Sequence, residues 1–162
     1  MEPRKYQFNN STVTVIFGNI MESKAAVIAS SDDTEITMSG GVSKSILKGG
    51  GQVIQDDARK KLPVKKGDVV VSTAGSLEYQ KYIFHCMTIG EYRTTIANEN
   101  EVRQLVIKDC INKCFCILQA LDIDSIAFPC IGAGTAGFPL KDVAKAMAEA
   151  IGTQLSNSQK AY

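Results

Sequence analysis

Residues 12–17 read Thr-Val-Thr-Val-Ile-Phe, a β-branched run that alternates polar and apolar positions and predicts a strand. Residues 6–8 suit a further short strand. Residues 25–29 form an apolar run bounded by Ser30-Ser31-Asp32-Asp33-Thr34, which predicts a second strand ending in a polar loop. From Val42 to about Lys61 the apolar positions fall at helical spacing, but Gly49-Gly50-Gly51 interrupts them. Glycine in a helix interior costs about 1 kcal/mol per residue, so two short helices joined at the glycines are expected. Residues 68–72 and 82–87 are nearly unbroken apolar runs, the pattern of strands covered on both faces. Residues 100–121 carry the longest helical pattern. Residues 125–128 form a last strand, residues 129–139 a loop, and residues 140–155 a closing helix. This alternation predicts an α/β sheet with helices on both faces.

Composition leaves that picture intact. The 162 residues match one ordinary domain, with 44% hydrophobic and 22% charged residues. We read 1–162 as one domain with a polar tail at 156–162. The net charge of +1 gives no field that argues for a nucleic-acid or membrane surface as partner. No stretch approaches the roughly 18 apolar residues of a spanning helix, and no signal-peptide core follows the first charges. The five cysteines, Cys86, Cys110, Cys114, Cys116 and Cys130, are odd in number and irregularly spaced, as expected of reduced thiols in a cytoplasmic or nuclear protein.

Two strand–loop–helix units, 25–46 and 125–150, hold the informative residues. In each, glycines precede a helix, where they allow close backbone approach and the first helical turn offers free N–H groups to an anion. Two such loops facing one crevice suit a diphosphate. Gly132-Ala133-Gly134-Thr135-Ala136-Gly137 matches the letter of G-x-G-x-x-G, yet no strand and ribose-binding acid follow its helix, so a dinucleotide cofactor site is rejected. The Gly41-to-Ser45 segment lacks the glycine a P-loop needs before its lysine.

The order of these pieces resembles the macrodomain family. Gly18-Asn19-Ile20 follows a strand, Val27 to Asp32 ends another, and Ser39-Gly40-Gly41-Val42 opens a helix. Phe84-His85-Cys86 and Pro129 to Pro139 follow in register, so the likeness spans about residues 12–151. The resemblance implies a three-layer α/β/α sandwich with a mixed central sheet that binds ADP-ribose or an ADP-ribosylated protein or nucleic acid. It calls for no metal and no organic cofactor. It places Asn19 and Ile20 at the adenine; Ser31, Asp32, Ser39, Gly40, Gly41 and Val42 at the first phosphate and distal-ribose loop; and Ile131, Gly132, Ala133, Gly134, Thr135, Ala136, Gly137 and Phe138 at the second. There are three departures. Asn19 replaces the family's aspartate, although an Asn carbonyl can still accept from the adenine amino group. Ala29-Ser30-Ser31-Asp32 replaces Asn-Ala-Ala-Asn, with the loop after Asp32 about one residue longer. The family's further strand, with its adenine contacts, does not follow the last helix, which points to a homo-oligomer or a larger parent protein as a way to complete the sheet.

Three functions follow from that resemblance. The favoured one is a binding module for ADP-ribose. The second is an ADP-ribosyl hydrolase, or an O-acyl-ADP-ribose deacylase, with Asp32 or Asp33 as general base. The third is a decayed cleft that acts through protein contacts. Glu35 reads as a solvated residue and His85, the one histidine, as a packed core residue. Cys110, Cys114 and Cys116 cannot all face one ion from a single helix, so no metal site is expected there.

Overall fold

The computed structural model describes residues 2–91, 94–96 and 98–162. The chain opens with an antiparallel hairpin, β1 (Arg4–Phe8) and β2 (Ser11–Val15). A short 3-10 turn, Ile20–Glu22, leads into β3 (Val27–Asp33). Helices α1 (Gly41–Gly50) and α2 (Val53–Arg59) precede β4 (Val69–Thr73) and β5 (Tyr82–Ile89). Then come α3 (Glu99–Ala120), the two-residue β6 (Ile126–Ala127) and α4 (Leu140–Asn157).

Among the described residues the main sheet is four-stranded in the order β4-β5-β3-β6 and mixed. β3 runs parallel to β5 and β6, whereas β4 is antiparallel to β5. Alternation along the strands sends side chains to two separate cores. Val27, Ala29, Phe84 and Cys86 pack under α3 and α4. Ile28, Val70, Ile83 and Met87 pack under α1 and α2. The result is the expected α/β/α sandwich. The hairpin is not bonded into this sheet. It rests on α4, where Asn9 Nδ2 donates to the Ser156 carbonyl at 2.9 Å and Phe8 joins the α3/α4 core.

Two expectations are corrected. The polar segment after Ala29 continues as strand to Asp33, because its backbone pairs with β5 across Ser31↔Cys86 and Asp32↔Met87. Gly49 and Gly50 stay helical, and the break falls at Gly51, whose φ is 90°. Gly50 is retained in α1 because packing repays its cost. A Cβ there would strike Ile54 and come within 2.8 Å of the Ala74 carbonyl, while the Gly50 carbonyl accepts from Ser76 N at 2.9 Å. Among the described residues no helix is long and apolar enough to cross a membrane.

Candidate functional site

The carboxyl end of β3 is a junction at which three consecutive side chains hold three different elements. Ser31 Oγ accepts from Gly132 N at 3.2 Å and lies 2.7 Å from Thr88 Oγ1, tying β3 to the second glycine loop and to β5. Asp33 accepts from Glu35 N at 2.9 Å and from the hydroxyl of Thr37, closing a turn over residues 34–37. Asp32 points into the interior.

The turn that Asp33 closes determines where the first loop lies. Ile36 and Met38 both have positive φ, 50° and 51°, an uncommon state for a β-branched residue such as Ile36. Their side chains are fully buried in the α1/α2 core, and Gln55 on α2 donates to the carbonyls of Ile36 and Thr37 at 2.9 and 2.8 Å. Burial and these bonds offset the strain and aim the chain at the start of α1. Sequence reading missed Gln55, since a glutamine on a helix carries no local sign of a distant backbone partner. Gly40 then caps α1 and Gly41 takes φ 53°, with open space where its side chain would stand. Ser39 and Gly41 are exposed, and Val42 is half-buried.

The second loop closes on itself. Phe138 N donates to the Gly132 carbonyl and Gly137 N to the Gly134 carbonyl, both at 2.9 Å. Gly132, at φ 82°, lies flat against the Phe138 ring, and a Cβ there would sit 2.5 Å from it. Ile131 and Phe138 are therefore core side chains. Ala133 and Ala136 are half-buried, while Gly134, Thr135 and Gly137 are exposed. Among the described residues no protein group accepts from the N–H groups of Gly134, Thr135 or Ala136. The two glycine loops meet. A Cβ on Gly40 would come 2.6 Å from Thr135 Oγ1.

Beside this meeting point, at the end of β5, lies a cavity of about 270 Å³ that includes Thr88, Gly90, Arg103, Thr135 and Phe138. Lys66 Nζ and the Arg103 guanidinium stand 5.7 and 5.6 Å from the centre of the Phe138 ring, and Glu99 pairs with Arg103. A larger hollow of about 400 Å³ runs along β4 on the far margin of the sheet. Val64, Val69, Val70 and Val71 line it together with Lys61, Asp68 and Lys113, and neither glycine loop reaches it.

Asp32 is 3% exposed. Its Oδ2 accepts from His85 Nδ1 at 2.8 Å, and His85 Nε2 lies 2.8 Å from Ser72 Oγ. Among the described residues Asp32 Oδ1 and the neighbouring Ser30 Oγ have no partner. His85 is a core residue, as expected, but it spans β3, β5 and β4 with polar contacts that periodicity cannot show.

At the other approach to α1, Asn19 and Ile20 begin the 3-10 turn. Asn19 is exposed, and its Oδ1 accepts from Met21 N at 3.1 Å. Ile20 packs half-buried on the α1/α2 core, and Met21 reaches Gly49. The cysteines separate by burial. Cys86, Cys110 and Cys114 cluster between β5 and α3, with Cys86 and Cys114 sulfurs 3.7 Å apart, whereas Cys116 and Cys130 are exposed.

Residues 30–147 match the model of the Macro domain family. An uncharacterized protein of Sulfurisphaera tokodaii is 31% identical over 149 residues, 90% of this chain and 77% of the relative. One from Pyrobaculum aerophilum is 34% identical over 143 residues, 86% and 74% of the two chains. Human protein mono-ADP-ribosyltransferase PARP14 is 28% identical over 124 residues, 74% of this chain but 7% of that protein. Among solved structures, a glycine-to-valine mutant of the Oceanobacillus iheyensis macrodomain with ADPR superposes with a TM-score of 0.85 at 18% identity, covering 98% of this chain and 86% of that one. The Trypanosoma brucei macrodomain in complex with ADP-ribose gives 0.73 at 17% identity, covering 87% and 56%.

Proposed function

The chain belongs to the macrodomain family, and from that premise we propose that it is a binding module for ADP-ribose, free or attached to a protein or nucleic acid. The observation that carries this reading is the meeting of the two glycine loops at Gly40 and Thr135. Free N–H groups at Gly134, Thr135 and Ala136 and at the first turn of α1 stand on either side of that contact, where a diphosphate accepts from both. The O. iheyensis structures with ADPR and with ADP, and the T. brucei complex with ADP-ribose, support the same ligand. In this reading the backbone of residues 39–42 and 131–138 holds the phosphates, while Asn19 and Ile20 meet the base.

Calorimetric titration with ADP-ribose, alongside AMP, tests it. Saturable heat with ADP-ribose, tighter than with AMP, is the expected result. No heat and no thermal shift with either compound leaves a domain that works through protein contacts alone.

Hydrolysis through Asp32 or Asp33 is the second reading, favoured by the partnerless Asp32 Oδ1. It ranks lower because Asp32 is buried against His85 and Asp33 is engaged in closing the turn at 34–37. Release of ADP-ribose from a mono-ADP-ribosylated protein, abolished by Asp32→Ala or Asp33→Ala, would raise it above the first.

A further inference from the structure

Independently of the nucleotide reading, we infer that the free margin of the main sheet at β4 is a docking site for a partner protein. The occupant is an extended acidic peptide segment that adds to the sheet as a further strand beside β4.

β4 ends the strand order β4-β5-β3-β6, so one side of its backbone has no strand against it. Two hydrogen bonds identify the residues that turn that way. The Asp68 carbonyl accepts from Met87 N at 2.9 Å, on the β5 side. Thr73 N instead leaves the sheet and donates to Asp57 Oδ2 at 2.9 Å. Backbone groups alternate in direction along an antiparallel strand, so Val70 and Ser72 turn to β5 with Asp68, and Val69 and Val71 turn outward with Thr73. Among the described residues no protein group bonds the outward N–H or carbonyl groups of Val69 and Val71. Beside them runs the hollow of about 400 Å³, where Val64 of the α2–β4 connection and Ile117 of α3 are, like Val69 and Val71, only half-buried. Two donors and two acceptors in a row, next to apolar side chains left half covered, match one kind of ligand: another strand. Its backbone answers both sets of groups and its alternate side chains fill the hollow.

Charge selects the strand. Residues 59–66 read Arg-Lys-Lys-Leu-Pro-Val-Lys-Lys, five basic residues in eight positions with no acid. The rest of the chain carries 13 basic residues against 17 acidic ones, so this run is the positive pole of a nearly neutral protein. It leads directly into β4. Lys61 and Lys113 line the hollow and pair with Asp57 and Asp68 at 3.1 and 2.8 Å, while Lys60 and Lys65 lie exposed in the same run. A second copy pairing through its own β4 would bring two such runs together, so the lysines that attract an acidic strand also oppose self-association at this edge.

The probe is a fluorescein-labelled heptapeptide, acetyl-Glu-Val-Asp-Val-Glu-Val-Asp-amide, titrated by anisotropy against the whole chain. Its twin with lysine at every acidic position and an octauridylate serve as comparisons. Saturable binding of the acidic peptide is expected, about tenfold or more tighter than its twin and weakened by salt. Amide exchange at Val69 and Val71, fast in the free chain, is expected to slow when the peptide is bound. Val71→Pro removes an outward N–H and no bond to β5, so it is expected to keep the wild-type unfolding midpoint and to weaken the peptide about tenfold, the scale of one or two net hydrogen bonds. Lys60→Glu with Lys65→Glu is expected to weaken it by a similar factor. No saturation up to about 1 mM peptide, or unchanged exchange at Val69 and Val71 in the saturated wild type, overturns the inference. Octauridylate binding as tightly as the acidic peptide also overturns it, because the lysines would then serve a nucleic acid. Exchange in the wild type decides the matter even if Val71→Pro fails to fold, and none of these outcomes touches the ADP-ribose titration.

Discussion

At the scale of single residues, most of the chemistry lies in contacts between side chains far apart in sequence. His85 is the sharpest case. A histidine in an apolar strand signals burial and nothing more, yet it joins Asp32 on one neighbouring strand to Ser72 on the other. Those partners depend on the β3–β5 and β4–β5 registers, which no local pattern specifies. A leucine at 85 would fill similar space and leave the Asp32 carboxyl group buried without a donor, a loss of about 1–3 kcal/mol. Urea denaturation should show that His85→Leu is less stable by this amount. The double change His85→Leu with Asp32→Ala should lose less than the two single changes added together, because the orphaned group is gone. Asn19 shows the same limit. Its place in the chain was legible, but the orientation of its amide depends on the Met21 N–H it caps.

Elements were far more legible than their ends. Both helices on the α3/α4 side and the strands of the main sheet lie where hydrophobic period placed them, because each buries an apolar face that periodicity reports directly; the hairpin strand expected at 12–17 ends at Val15 instead, leaving Ile16 and Phe17 exposed. What failed was the rule that polar residues end a strand: Ser30 to Asp33 remain paired in backbone with β5, while Thr88, His85 and the turn at 34–37 engage the side chains of Ser31, Asp32 and Asp33. The margin of the sheet at β4 supplies an element-scale prediction. Asp57 on α2 accepts from Thr73 N at 2.9 Å at the end of β4 and pairs with Lys61 at 3.1 Å. The Thr73 hydrogen bond, against some opposition from burial and with help from Lys61, holds the Asp57 carboxyl group below the ordinary value of 3.8. A carboxyl group depressed in the folded state contributes fully at neutral pH. Its contribution fades as the pH falls past 3.8 and is gone below the lowered folded value. The urea midpoint of Asp57→Asn should therefore lie below that of the wild type at pH 7 and converge with it in acid. A constant gap at every pH would show that Asp57 acts by shape alone.

At the scale of the molecule, the site exists because two loops some ninety-five positions apart come together over one strand end. The glycines were legible in sequence and their convergence was an inference from fold class; the atom that joins them, Thr135 Oγ1 against Gly40, was not foreseeable. This contact makes a paired prediction. Gly40→Ala should push the loops apart and weaken ADP-ribose binding about tenfold, the effect of a displacement on the order of 1 Å near a binding geometry. Adding Thr135→Ala removes Oγ1, leaving only the Thr135 Cβ at 3.7 Å, an ordinary contact, and should restore most of the affinity. Titration of the two variants decides it, and failure of the second change to rescue the first would place the damage elsewhere. The division of the five thiols extends the same geometry into a way of watching it. The Cys110 thiol is pushed well up by its hydrogen bond with Cys86 and by burial. For Cys86, the Cys110 thiol pulls the other way, but Cys114 and burial outweigh it. These interior sulfurs therefore stay protonated and slow toward alkylating dyes, while Cys116 and Cys130 lie in water. Cys130 stands two positions before Gly132, so a fluorophore attached there, in a chain carrying Cys116→Ser, would report occupancy of the groove from the root of the loop that closes it.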